Sequence, residues 1–397
     1  MRALVVNAGS SSLKFAVYAG DRPDELAPML KGSFDRIGLE GCRWTLKDAS
    51  SQALLADGEM VGDGATHAEC MAILVSKLEA LHVYLDCAGH RVVHGGALFT
   101  GPVEINSQTL KKLESLASLA PLHQPHNMAG IRALQSVLPR IPQVACFDTA
   151  FHTTQPPIHQ IYALPRELTD SGVRAYGFHG LSYEYISAQP ELSTHSRVVV
   201  AHLGNGASVC AIRDRKSVAS SMGLTALDGL PMGTRTGSLD PGVVLHLLRT
   251  GKSLDEVETL LYRASGLLGI SGLSSDVRDL LASDSPAAAE ALGYFCEKGA
   301  QHIACMAVAL GGLEALVFTG GIGENAAEVR EAICIRLRFL GVHFDKEANV
   351  GRPQDKPPFR RRISADASAV AVYVIPTDEE RVIARHAAHL FVRAAAA

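Results

Sequence analysis

Short apolar runs recur along the chain, each ended by small, polar or glycine residues: Leu4 to Val6, Phe15 to Tyr18, Val144 to Phe147, Val198 to Leu203, Val209 to Ile212, Leu316 to Phe318 and Val370 to Ile375. Their length and composition predict strands, and longer stretches with helical spacing alternate with them. Thr66 with Glu69, and Thr377 with Glu380, have the spacing of a capping box, so a helix is expected to begin at each. A third helix is expected from Pro286, just after Ser285, through an Ala-rich stretch to about Leu310. The pattern is that of an α/β chain.

The pattern also repeats. With Gly9 set against Gly204, LVVNAGSSSLKFAV lies over VVAHLGNGASVCAI: apolar strand, Gly/Ser turn, apolar strand, twice, about half the chain apart. Each half then carries a later strand that ends in a polar or glycine turn, VACFDTAFH in the first and LVFTGGIGENA in the second. Two unrelated hairpins would give the same echo; a true repeat predicts two similar lobes whose turns line one cleft. At 397 residues the chain suggests two domains, each with its own core.

Composition narrows the function classes. Charged residues make up 20% of the chain and the net charge is -4, so neither a broad basic field for nucleic acid nor an acidic tail is present. The basic run Arg360-Arg361-Arg362, after Asp355-Lys356-Pro357-Pro358, is expected to be a solvated loop. Eight scattered cysteines without a Cys-x-x-Cys pair fit reduced core thiols of a cytoplasmic protein. The first apolar run stops at Asn7, short of a signal peptide, and no membrane span is expected. A small ligand is the expected partner.

The turns carry the chemistry. NAGSSSLK presents backbone N–H groups, the Ser10 and Ser12 hydroxyls and the Lys14 ammonium, the makings of a phosphate cradle, although a plain hairpin would use the same residues. It lacks P-loop spacing. GNGAS at 204–208 and TGGIGENA at 319–326 add glycines that admit a close anion or base. Gly321, Gly323 and Ala326, followed by Asp345, also match a dinucleotide fingerprint, but too little chain follows for the rest of such a fold. Polar residues in apolar or glycine-rich settings complete the candidates: Arg91 in GHRVVHGG, His123 in PLHQPH, Asp148 in CFDTAFH, His179 in YGFHGLS and Arg235 in MGTRTGSLDPG. Each alone could be a satisfied core residue. No zinc motif and no nucleophile elbow appears. Phosphate cradles with two arginines point to phosphoryl transfer, with Glu379 a candidate magnesium ligand.

Those segments, together with SSDVRDL and IPTDEERVIA, resemble the acetokinase family in order and across nearly the whole chain. The family lies in the sugar kinase, Hsp70 and actin superfamily, so the resemblance implies a duplicated two-lobe, actin-like (ribonuclease H-like) fold with a central cleft, and explains the echo. It implies reversible phosphoryl transfer from ATP to acetate with Mg2+, for which Mn2+ could substitute, in a cytoplasmic homodimer. Matched residue by residue, Asn7 and Glu379 fall on metal positions and Lys14, with Ser10 and Ser12, on the nucleotide and phosphoryl path. Arg91 falls on the substrate-binding arginine, Asp148 on the catalytic acidic residue, and His179 and Arg235 on transition-state stabilisers; His123 is counted with the catalytic set. Further nucleotide contacts would be His202, Leu203, Gly204, Asn205, Gly206, Asp276, Val277, Arg278, Gly321, Ile322, Gly323, Glu324 and Asn325. The acyl pocket would be walled by Val93, Leu122, Phe178 and Ala226.

Ala226 departs from the family pattern, which usually has proline there, and leaves room for one more methylene. Propionate or butyrate is therefore an alternative acceptor, and an actin- or Hsp70-like switch an alternative of another class. The expected lobes are residues 1–150, with a C-terminal helix 381–397 packing back on them, and 151–380.

Overall fold

The computed structural model describes residues 1–121, 123–351 and 360–396. The chain divides into two compact units, Met1–Phe151 with Asp378–Ala397, and His152–Thr377.

The first unit is built on one eight-stranded sheet. In chain order its strands are β1 (Arg2–Ala8), β2 (Ser12–Ala19), β3 (Ala27–Asp35), β4 (Cys42–Asp48), β5 (Leu54–Gly62), β6 (Cys87–Val92), β7 (Val103–Glu104) and β8 (Gln143–Phe147). Their spatial order is β5-β4-β3-β2-β1-β6-β8-β7. Side chains alternate across the sheet. Leu4, Val6, Leu13, Phe15 and Val17 share one core with Phe34, Trp44, and Met71, Leu74 and Leu78 of the helix His67–Ala80. The opposite face receives the C-terminal helix Glu379–Ala396, which approaches so closely that a β-carbon on Gly89 would meet Ile383 Cγ2 at 2.5 Å and its carbonyl oxygen at 3.1 Å. That closeness is why β6 contains a glycine.

The second unit holds a six-stranded sheet of β9 (Arg197–Leu203), β10 (Ala207–Arg213), β11 (Lys216–Ser220), β12 (Ala315–Thr319), β13 (Arg361–Arg362) and β14 (Ala371–Val374), ordered β11-β10-β9-β12-β14-β13. The helix Pro286–Leu310 packs on it through Ala291, Phe295, Ile303 and Leu310, all buried. It begins and ends where the sequence pattern places it.

The two sheets share a plan. Each has an antiparallel meander, β3-β2-β1 or β11-β10-β9, beside two parallel strands, β6-β8 or β12-β14. The echo is thus a repeated fold with the strand order of ribonuclease H-like domains. One part of it needs correction. The topological equivalent of LVFTGG on β12 is GHRVVHGG on β6, one strand earlier than VACFDTAFH, which corresponds to β14.

The seven apolar runs are all strands, and the Thr66–Glu69 capping box heads the helix His67–Ala80. The run pattern misses β3 to β5, in which buried residues stand singly among exposed and half-buried ones, and β6, whose apolar run is interrupted by Gly89, His90 and Arg91. Two expectations are overturned. The last helix is not capped by Thr377 and Glu380: Asp378 Oδ1 accepts from Arg381 N at 3.1 Å, and Glu380 instead pairs with Lys31 at 3.1 Å. The basic run is a solvated loop only at Arg360, which is exposed. Arg361 and Arg362 form the edge strand β13, and Arg360 reaches Tyr185 Oη at 2.8 Å, since the guanidinium groups find acceptors within their own unit. Asp355 to Pro358 lie outside the described residues. Seven of the eight cysteines are buried thiols; Cys305 is exposed. Among the described residues no helix is long and apolar enough to cross a membrane.

Candidate active site

In the first unit, parallel strands deliver polar residues at their C-terminal ends, where open α/β sheets place their ligands. Arg91 stands near the end of β6 and Asp148 just past β8, adjacent strands in register, so the two meet without loop rearrangement. Arg91 Nε donates to Asp148 Oδ1 at 3.0 Å and Nη2 to Oδ2 at 2.7 Å, a bidentate pair. Glu379 Oε2, at the first turn of the C-terminal helix, lies 3.9 Å from Arg91 Nε. Burial alone would lower the Arg91 pKa; Asp148 and Glu379 hold it above its ordinary value. The Glu379 carboxyl is raised, chiefly by burial and further by Asp148 and Glu380, against the pull of Arg91 and Lys14.

The opening turn sits at the next strand end. Asn7 of β1 lies opposite Lys14 of β2, whose side chain is exposed, and the turn is closed by Gly9 N donating to Ser12 O at 2.8 Å. Ser10 is exposed and Ser12 half-buried. His67 Nε2 bonds the Gly9 carbonyl at 2.9 Å and tightens the turn from below. Buried Asn127 joins this turn to β6: its Nδ2 donates to Ala8 O at 2.9 Å, and its Oδ1 accepts from Val93 N at 3.0 Å. His123 heads the same helix, Gln124–Val137, and its carbonyl accepts from Asn127 N at 3.0 Å. Val93 is buried; Leu122 lies outside the described residues.

The second unit gathers the rest. His179 adopts φ 55°, ψ 24°, a left-handed backbone uncommon for a residue with a β-carbon, just ahead of the helix Gly180–Ser187. Its neighbours enforce this. His152 Nε2 bonds the carbonyl of buried Phe178 at 2.9 Å, and Gly177 at φ 78° lies against the His152 ring. His179 Nδ1 bonds Ser208 Oγ at 2.8 Å, which also bonds Tyr183 Oη at 2.5 Å. The His179 ring stacks on His202, centroids 4.3 Å apart, and His202 Nδ1 bonds Ser182 Oγ at 2.8 Å. Both imidazoles are thereby fixed in plane and direction. A β-carbon on Gly206 would lie 3.4 Å from His179 Nε2 and 4.0 Å from Arg235 Nη1, so the two donors flank one bare stretch of backbone.

Arg235 is held by uncharged acceptors, the Ala226 carbonyl at 3.1 Å and Met232 Sδ at 3.9 Å. Among the described residues it has no carboxylate partner. Burial lowers its pKa, against a smaller opposite pull from Tyr262. A half-buried guanidinium of this kind is a site for an anion.

Gly204, Asn205 and Gly206 form the β9–β10 turn, the echo of the opening one, closed by Gly204 N to Gly206 O at 3.1 Å. Leu203 is fully buried, and Gly321 N would lie 3.9 Å from a β-carbon on Gly204, which brings the second glycine turn alongside. Thr319 leads directly into the short helix Gly320–Asn325. Gly321 and Asn325 are exposed on it, Ile322 is half-buried and Gly323 buried. Glu324 turns inward: Oε1 accepts from Gly320 N at 2.9 Å and Thr377 N at 3.2 Å, and burial raises its pKa. Asp276 caps the helix Val277–Leu281 and pairs with Arg278 at 2.6 Å, with Val277 buried behind them. The Arg278 bonds hold the Asp276 carboxyl down to about 2.

The model of the acetokinase family matches residues 2–385. The chain belongs to that family. Over 393 residues it is 50% identical to an acetate kinase of Rhodopseudomonas palustris, with 96% of each chain covered. The structure superposes on a propionate kinase of Francisella tularensis with a TM-score of 0.89 at 37% identity, over 97% of this chain and 98% of that one. For an acetate kinase of Porphyromonas gingivalis the TM-score is 0.86 at 35% identity, over 98% and 99%. In this acetokinase chain the supporting residues were the hard part to foresee: Asn127, His152, Tyr183 and Ser208 touch the candidate residues from beneath. Only Ser208, a hydroxyl at the head of the otherwise apolar β10, carries a signal that could have found it.

Proposed function

We propose that the chain is an acetate kinase that transfers the γ-phosphoryl group of Mg-ATP reversibly to acetate, giving acetyl phosphate and ADP. The observation that carries the chemistry is that His179 Nε2 and Arg235 Nη1 both flank Gly206, with Arg235 held by a carbonyl and a thioether. Phosphoryl transfer asks for donors of this kind, because catalysis there is positioning and charge stabilisation.

Acetate has a carboxyl pKa of about 4, similar to Asp or Glu, so it is an anion at neutral pH and needs no general base. A carboxylate oxygen attacks phosphorus in line, and the bond from phosphorus to the β–γ bridging oxygen breaks. In the second unit Arg235 offsets the repulsion between that oxygen and the phosphoryl oxygens and His179 donates from Nε2; in the first, Arg91 is assigned to the carboxylate of acetate. Asp148 fixes the plane and direction of Arg91, a positioning role that leaves no lone proton to abstract.

A magnesium ion fits the residues present. Glu379 is half-buried and its pKa is raised, yet its carboxylate accepts no hydrogen bond among the described residues, and Asn7 offers an amide oxygen at the neighbouring strand end. Two oxygen donors with the remainder from phosphates and water is the usual way Mg2+ is held. When bound, it would neutralise charge on the phosphate oxygens. Nucleotide contacts are assigned to Lys14, the 202–206 turn, 276–278 and the 320–325 turn, and the acyl wall to Val93, Phe178 and Ala226.

The homodimer reading is supported by the helix Pro241–Arg249, which buries none of its residues although Val243, Leu245 and Leu248 are apolar. A cytoplasmic setting agrees with the buried free thiols. The direct test is hydroxamate trapping of acyl phosphate from ATP and acetate, propionate or butyrate. Acetyl hydroxamate is expected; ATP hydrolysis with no acyl phosphate would instead mark an actin-like switch.

A further inference from the structure

Arg330, on the helix Ala327–Arg336, is the largest fully buried side chain among the described residues, at 1% exposure. Buried arginines are ordinarily paired with carboxylates. This one is not: Nε donates to Asn349 Oδ1 at 2.8 Å, Nη2 to Asn349 O at 2.6 Å, and Nη1 to both Gly323 O and Glu324 O at 3.0 Å. Burial, and then the charge of Arg361, lower its pKa to about 10, so it stays charged at neutral pH.

The two carbonyls at Nη1 belong to the C-terminal end of the helix Gly320–Asn325, where carbonyls lack intrahelical partners and carry negative partial charge. The other end of that turn is held by Glu324 Oε1, which accepts from Gly320 N and Thr377 N. Asn349 extends the clamp, donating Nδ2 to Ala327 O at 2.9 Å. The turn is thus gripped at both ends from beneath, while Gly321 and Asn325 stay exposed. An apolar residue in place of Arg330 would strand the Asn349 side-chain oxygen and two helix-end carbonyls in a dry interior.

We propose that Arg330 is a positioning residue of the nucleotide half-site: it fixes the Gly320–Asn325 turn in the shape that receives the nucleotide, without touching the acyl acceptor. The inference rests on the reading of that turn as a nucleotide contact. Arg330→Ala and Arg330→Lys in the full chain test it, with KM for ATP and for acetate, kcat, and thermal melting measured side by side. Arg330→Ala is expected to raise KM for ATP about tenfold or more, with KM for acetate within about twofold of wild type. Added guanidinium ion at millimolar concentration should restore part of the ATP affinity in Arg330→Ala and none in wild type. Lysine reaches one acceptor where arginine reaches several, so Arg330→Lys should show a smaller rise of the same kind. A folded Arg330→Ala with unchanged KM for ATP, or with both KM values raised alike, overturns the proposal. If that variant does not fold, an ATP KM of wild-type size in Arg330→Lys overturns it. A wild-type enzyme that ATP does not saturate removes the nucleotide reading itself, a failure visible before any variant is compared.

Discussion

The two candidate arginines are held in opposite ways. Arg91, in the first unit, is locked to Asp148 by two hydrogen bonds with Glu379 close by, and its charge is largely answered before any ligand arrives. Arg235, in the second unit, rests on a carbonyl and a thioether, and its charge is unanswered. Arg91 has gained direction at the expense of field, and Arg235 the reverse. The first arrangement favours aim, the second attraction toward an anion.

The largest effect should come from removing the unanswered charge. Arg235→Ala is expected to lower kcat by roughly a thousandfold while leaving ADP affinity within about threefold, read from acetyl phosphate formation and calorimetry. Equal losses in both would mean that Arg235 grips the nucleotide. Asp148→Asn keeps the shape but removes the countercharge from Arg91. The expected outcome is a kcat about a hundredfold lower, with KM for acetate altered, since Arg91 loses its direction; turnover near wild type would leave the pair a structural one.

Glu379 gives a prediction with two signs. Its folded pKa is raised above the ordinary 4.5, so its proton is bound more tightly folded than unfolded. Its contribution to stability is complete below the unfolded value and is lost as pH rises through the folded one. At pH about 8 without magnesium, Glu379→Gln should therefore melt higher than wild type, and the gain should shrink on acidification toward about 4.5. Activity runs the other way: wild-type turnover should fall as pH drops through that raised value, and the variant should need more Mg2+ for half-maximal rate. A lower melting point for Glu379→Gln at pH about 8 would show the Arg91 contact outweighing burial.

The smallest effect concerns the acyl group. Ala226→Pro should shift the kcat/KM ratio of propionate to acetate downward by about tenfold, the lower end of the range for one methylene. An unchanged ratio would remove the idea that this position sets chain length. Because the Ala226 carbonyl also holds Arg235, kcat for acetate in the same variant reports whether that hold survives.

Much of this arrangement could be read from residue order, because it depends on local pattern. The apolar runs, the Pro286–Leu310 helix and the repeated strand-turn-strand are properties of neighbours along the chain. Arg91, Asp148, His179 and Arg235 stood out as polar residues in apolar or glycine-rich settings. What was not legible depends on partners far apart in sequence. The Arg91–Asp148 pair spans 57 positions and Asn127 to Ala8 spans 119, and no local signal announces either bond. Arg330 was invisible for a related reason: in sequence it reads as a routine charged residue, and only its burial shows otherwise. The Thr377 capping box failed because a tertiary partner, Glu324, claims the Thr377 N–H, while Asp378 takes over the cap one residue later.

The placement of the last helix has a consequence in time. Val382, Ile383, Ala384, Ala387 and Ala388 are buried in the unit whose strands precede the whole of the second unit in the chain. Until the helix Glu379–Ala396 has been made, the face of that sheet around Gly89 stays uncovered, while the whole of the second unit is being made. The earliest part of the chain is therefore the last to be finished, and a nascent chain must carry a bare apolar face through most of its synthesis, the circumstance in which holding chaperones matter most. A stop codon just before Asp378 would leave the second unit with all of its residues and the first without its lid.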